Sequence, residues 1–163
     1  MTAPAGPPPL RSFGLVLHRD GCFLHEGEPV TNARLRAAFE RGVRWLPAEG
    51  KYVVTLGPFR GQVDVEEAGF FVEDVDLADG TVALSDRTRE PLDVASLRAS
   101  ALDPDALLCT VKRSLAPGGL PARFTRGAQA ALLGAVEESD AGLVVAIAGR
   151  REPLPAALQS FER

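Results

Sequence analysis

At 163 residues, 45% apolar and 25% charged, the chain is long enough to bury a hydrophobic core without disulfide staples and too apolar to stay disordered. A formal net charge of -4 argues against a surface built to coat nucleic acid or an anionic membrane. No uninterrupted apolar run approaches the ~18 residues of a membrane-spanning helix.

Residues 1–11 include Pro7, Pro8 and Pro9 in succession and read as an extended, disordered tail, because a run of prolines cannot propagate a helix. They carry neither the basic start nor the apolar stretch of a secretory signal, so a cytoplasmic protein is expected. Phe13, Leu15 and Leu17 alternate with smaller or polar neighbours as a strand does, Asp20-Gly21 turns the chain, and Cys22-Phe23-Leu24 returns. Thr31 or Asn32 offers an N-cap oxygen for a helix over 33–46. Leu35, Ala38, Phe39, Gly42, Val43 and Leu46 form its apolar stripe, and Pro47 stops it.

Lys51 to Leu56 is β-branched and aromatic enough for a strand, and Gly57-Pro58 punctuates it. Gln62 to Glu66 alternates as the next strand; Phe70-Phe71-Val72, Val75 to Leu77, and Thr81 to Leu84 after Asp79-Gly80 continue an antiparallel run. A short helical turn is expected at Val94 to Leu97, and a strand over Leu107 to Leu115. Pro117-Gly118-Gly119 then turns the chain into a second helix over 125–138, with Ala128, Ala131, Leu132, Ala135 and Val136 on one face. Leu143 to Ile147 is an apolar strand, followed by the apolar pair Leu154 and Leu158.

The two helical stripes superpose with one constant offset, and each is preceded by a strand and followed by a glycine-bearing turn and a strand. Any two amphipathic helices share one period, so the spacing alone does not establish duplication; the ordering of the glycines favours it. The fold expected is α+β: two small domains over 12–66 and 67–163, each a short antiparallel sheet on one amphipathic helix, in a repeated strand–helix–strand motif.

Catalytic constellations are scarce. His18 and His25 are the only histidines, and neither stands in a helical pair that would hold a metal. Cys22 and Cys109 lie in apolar stretches and read as reduced core thiols. No metal and no cofactor is therefore expected. Lys112, Arg113, Arg123 and Arg126 flank the Gly118-Gly119 turn at a helix start, where a phosphate or carboxylate would find donors. Asp64, Glu66 and Glu67 head an acidic stretch, read as a solvated strand face or as pairing partners for Arg34, Arg41 or Arg44.

Several of these residues form an ordered series: Arg19-Asp20-Gly21, Gly27-x-Pro29, Leu35-x-x-x-Phe39, Gly50 to Val54, and above all Val63 to Val72. With Val111-Lys112-Arg113 and Leu120-Pro121-Ala122-Arg123, they resemble the bacterial family catalogued as Domain of Unknown Function 1285. The resemblance implies two small α+β domains of repeated strand–helix motifs, no established reaction, and a candidate role in signalling or ligand binding. The function expected is a non-catalytic ligand-binding or regulatory module. Its partner would be a small molecule or a protein, not nucleic acid or membrane. The alternatives are a hydrolase or transferase using Glu66 and Glu67, and an interaction module docking through Phe70-Phe71.

Overall fold

The structure, a computed structural model, describes residues 11–56 and 59–159; the tail read over 1–11 lies outside these apart from Arg11, as do the Gly57-Pro58 turn and the side chain of Phe13. Packing separates the chain into two units that divide between Gly69 and Phe70. Among the described residues, no helix is long and apolar enough to cross a membrane.

The first unit runs β1 (Arg11–Leu17), β2 (Phe23–His25), β3 (Glu28–Pro29), α1 (Ala33–Gly42), β4 (Val43–Leu46), β5 (Lys51–Leu56) and β6 (Phe59–Val65). Its six strands lie in the order β3-β2-β1-β6-β5-β4. β1 and β6 are parallel, with Leu15 opposite Val63 and Leu17 opposite Val65; the other neighbours are antiparallel. Leu15, Leu17, Phe23, Phe39, Val53 and Val63 form the core, where the rings of Phe23 and Phe39 meet at 5.5 Å between centroids.

The Asn32 side chain caps α1 by accepting the Leu35 amide at 3.0 Å. The helix is four residues shorter than its period suggests. It ends at Gly42, packed so closely on β5 that a Cβ there would lie 2.9 Å from the Thr55 carbonyl oxygen. Val43 turns extended, and Val43 to Leu46 pair with β5 instead of completing the stripe. Only Phe39 and Gly42 of the helix are buried, and Leu35 is exposed.

The second unit contains β7 (Phe70–Asp76), β8 (Thr81–Leu84), β9 (Arg89–Pro91), a 3-10 turn at Val94–Ser96, β10 (Arg98–Ala99), β11 (Leu107–Val111), β12 (Leu120–Phe124) and α2 (Arg126–Leu133). It closes with β13 (Val136–Ser139), β14 (Gly142–Ile147), β15 (Arg150–Pro153) and a 3-10 turn at Ala156–Leu158. One sheet has the order β10-β11-β12-β7-β8-β9; β13-β14-β15 form a separate three-stranded antiparallel sheet. β12 is parallel to β7, through Ala122 opposite Phe70 and Phe124 opposite Val72. α2 stops at Leu133 rather than 138, because Val136 to Ser139 pair with β14.

The architecture is thus α+β with sheets dominant and two α-helices among the described residues. The two main sheets are larger than expected, six-stranded and mixed. They share one plan: two three-stranded antiparallel meanders lie side by side, joined where the first strand of one runs parallel to the last strand of the other. The helices do not share that plan. α1 connects the two meanders of the first sheet; in the second sheet the 3-10 turn at Val94–Ser96 stands in that connection, and α2 follows the last strand. What repeats is strand order rather than a strand–helix–strand unit.

Candidate ligand site on the second unit

Two hollows flank α2. The helix is capped by Thr125, whose Oγ1 accepts the Ala128 amide, and it turns Ala128 and Leu132 inward. Gln129 fastens it to the sheet: its Oε1 accepts the Leu107 amide at 3.0 Å and its Nε2 donates to the Asp105 carbonyl at 2.7 Å. Leu133 falls off the buried face and keeps 46% of its surface exposed.

Beside Leu133 lies an apolar hollow of about 230 Å³, lined by residues including Leu97, Leu107, Leu132, Val136, Leu154 and Leu158. Leu154 and Leu158 reach it from the C-terminal strap. Gln159 anchors that strap: its Oε1 accepts the Leu143 amide, and its Nε2 donates to the carbonyls of Leu143 and Leu154. A second hollow, of about 330 Å³, has a polar lining that includes Asp103, Asp105, Arg123, Arg126 and Gln129. Asp105, Ala106, Gln129 and Leu133 line both, so the two share a rim.

Of the four cations singled out in the sequence, the fold brings Arg123 and Arg126 to this polar hollow. Arg123 is 13% exposed and donates to Asp103 at 2.9 Å. Arg126 is exposed and forms no ion pair among the described residues. Lys112 and Arg113 are elsewhere, beyond the opposite end of β11. Pairing of β11 with β12 sets Arg123 against Leu108, four positions before Lys112.

Lys112 is held in a cluster of its own. Its backbone is left-handed, φ 55°, and its amide donates to the Glu90 carboxylate at 3.1 Å. Its Nζ donates to Asp86 Oδ2 and Thr88 Oγ1, both at 2.7 Å, and lies 5.2 Å from the centroid of the Phe70 ring. The Asp86 side chain is 4% exposed. Burial pushes its carboxyl up, but hydrogen bonds from Lys112 and Thr88 outweigh this and hold it below the ordinary value. These contacts use the ammonium locally, as a buried charge must be compensated. Arg113 donates to Asp93 at 2.6 Å on the surface.

The acidic residues of the first unit do not converge. Asp64 is exposed and accepts the Gln62 amide at 3.4 Å. Glu66 accepts the Arg19 backbone amide at 2.9 Å and its guanidinium at 2.7 Å, and His18 Nε2 stands 3.2 Å away. The Arg19 amide is the main reason its carboxyl titrates below the usual range, opposite to what a general acid needs. These partners replace the expected pairing with helix arginines; Arg44 instead donates to the carbonyls of Arg41 and Val43. Glu67 is half-buried.

Two further expectations are corrected. Cys109 is buried, and desolvation pushes its thiol up to about 12, but Cys22 is exposed beside Asp20 rather than in the core. Phe70 is fully buried and Phe71 half-buried, so these rings form no exposed contact patch. Among the described residues no group of three or more potential ligands could hold a metal. Sequence reading missed Gln129, Leu133 and Asp103 as parts of one site. Leu133 carried a signal, being apolar yet adjacent to the stripe residue Leu132.

No family model matches the chain, and no curated protein is significantly similar to it. Among solved structures it is similar to a DUF1285 family protein from Silicibacter pomeroyi DSS-3, with 17% identity, a TM-score of 0.60, and coverage of 94% of this chain and 90% of that one. It is also similar to a DUF1285 family protein from Shewanella baltica OS155, with 16% identity, a TM-score of 0.49, and coverage of 74% and 91%. The class of protein is thus defined by fold: the first likeness extends over nearly the whole chain. It supports the DUF1285 resemblance carried by Val63 to Val72 and the motifs around it.

Proposed function

We propose that the protein is a non-catalytic ligand-binding or regulatory module whose small-molecule site is the pair of hollows around α2. The observation that carries this is their junction. An apolar hollow of small-molecule size shares a rim with a polar one that holds Arg126 and the ion-paired Arg123. An apolar body with a few placed polar groups is the usual make-up of a ligand pocket. The hydrolase or transferase reading has less support, because Glu66 is engaged by Arg19 and His18.

Thermal unfolding with a panel of nucleotides, small anions and amphipathic compounds tests the reading. A ligand present at a hundredfold excess over its Kd stabilises the native state by about 2.7 kcal/mol, enough to raise Tm measurably. The same panel is run on Leu133→Glu, which sets a carboxylate on the exposed rim without disturbing the core. A Tm rise in the wild type that is lost in the variant is expected. No rise with any compound, or an equal rise in both proteins, contradicts the assignment.

A further inference from the structure

Resting on that reading of the two hollows, we propose that their ligand is a medium-chain acyl anion, its hydrocarbon chain in the apolar hollow and its carboxylate over Arg126. Size sets the chain. A dry cavity of about 150 Å³ accepts a six-carbon ring, so the 230 Å³ hollow accommodates roughly eight or nine carbons. Its lining is largely leucine, and its polar residues are Gln129 and Asp105, which stand on the rim shared with the polar hollow. The Gln129 amide already engages both its ends, its oxygen on the Leu107 amide and one N–H on the Asp105 carbonyl, so the hollow offers a chain little to hydrogen-bond.

Charge sets the head. Across the shared rim, Asp103 is engaged by Arg123 and by the Asp105 amide, and of the two arginines lining the polar hollow Arg126 has no ion pair among the described residues. A guanidinium recognises a carboxylate with two parallel hydrogen bonds, which favours an acid over an alcohol of equal length. Asp105 lines the same hollow and opposes an anion there, so it limits affinity. The chain therefore contributes binding through burial and the head contributes selectivity.

Isothermal titration with octanoate, octanol and butyrate separates the two contributions. Octanoate is expected to bind about tenfold or more tightly than octanol, the worth of one charge-assisted contact, and butyrate to bind too weakly to measure. Arg126→Gln should bring octanoate down to the octanol level while leaving octanol unchanged. Asp105→Asn should tighten octanoate alone. Both positions are exposed, so neither change threatens the fold. Equal affinity for octanoate and octanol, or an Arg126→Gln variant that binds octanoate as before, overturns the acyl-anion assignment while the hollow stands as an apolar site. A hollow that takes none of the three compounds while other panel compounds still require an intact Leu133 rim also overturns it. Failure of every compound, panel included, overturns the underlying reading as well.

Discussion

Lys112 and Asp86 illustrate how a single pair can decide local stability. With the Asp86 side chain only 4% exposed, removing its cation leaves a carboxylate that Thr88 alone must satisfy. Lys112→Met is expected to cost about 3 kcal/mol in urea denaturation, the lower end for breaking a buried pair, since Lys112 keeps some solvent contact. A loss under about 0.5 kcal/mol, the size of an ordinary surface change, would show that the pair is solvated. Acid should act on the same contacts. Asp86, Asp20 and Glu66 all titrate below their ordinary values of 3.8, 3.8 and 4.5 in the folded protein. Their contribution is therefore full above the unfolded-state values and falls away as pH drops through the lower folded ones. Denaturation midpoints followed from pH 7 to pH 2 should hold until near pH 4.5 and then decline; a midpoint that rises on acidification contradicts the sign. At Ala148 the strain is in the backbone. Ala148-Gly149 joins β14 to β15 as a two-residue turn with φ 52° and 70°, and alanine bears a Cβ penalty at the first position. Relief of about 1–2 kcal/mol, set against about 0.5–1 kcal/mol of added chain entropy, predicts that Ala148→Gly leaves Tm unchanged or slightly raised. A clear fall would mean that its methyl is needed where it approaches Gly80.

At the scale of elements, the helices were legible in their starts and illegible in their ends. Of the two cap candidates Thr31 and Asn32, the structure uses Asn32, and Thr125, read as the first residue of the second helix, is its cap. Asn32→Ala should cost about 1 kcal/mol by thermal unfolding; no loss would mean that tertiary packing alone fixes the start of α1. The ends deceive for one reason in both cases. Phe39 to Val43 and Leu132 to Val136 keep the i, i+4 spacing, yet the valines are first residues of strands that pair with β5 and β14. Spacing of apolar residues does not reveal where hydrogen bonding changes partner. β12 was hidden by Pro121, which argues against an interior strand. It is accommodated because pairing with β7 begins only at Ala122. The edges β3, β9 and β10, two or three residues each, are too short to show any period. The candidate site followed the same pattern. Arg123 and Arg126 stood out as charges near a helix start, whereas Lys112 and Arg113, close in sequence, are carried away by the length of β11. Gln129 and the leucines of the strap come together only through tertiary packing.

For the whole molecule, duplication shows in the order of strands. Aligning the helices compares elements that occupy different connections, whereas β1 to β6 and β7 to β12 follow one scheme of neighbours and directions. The second unit adds α2 and the β13-β14-β15 sheet to that scheme, and the hollows lie beside these additions. The first unit has a hollow of its own, about 460 Å³, lined by residues including Leu15, His25, Leu35 and Phe39. Methyl NMR during titration with octanoate therefore tests the central claim most directly, because leucines line both places. Shifts are expected at Leu133, Leu154 and Leu158, with Leu15 and Leu35 unmoved. Shifts at Leu15 and Leu35 with the leucines around α2 unmoved would contradict that claim.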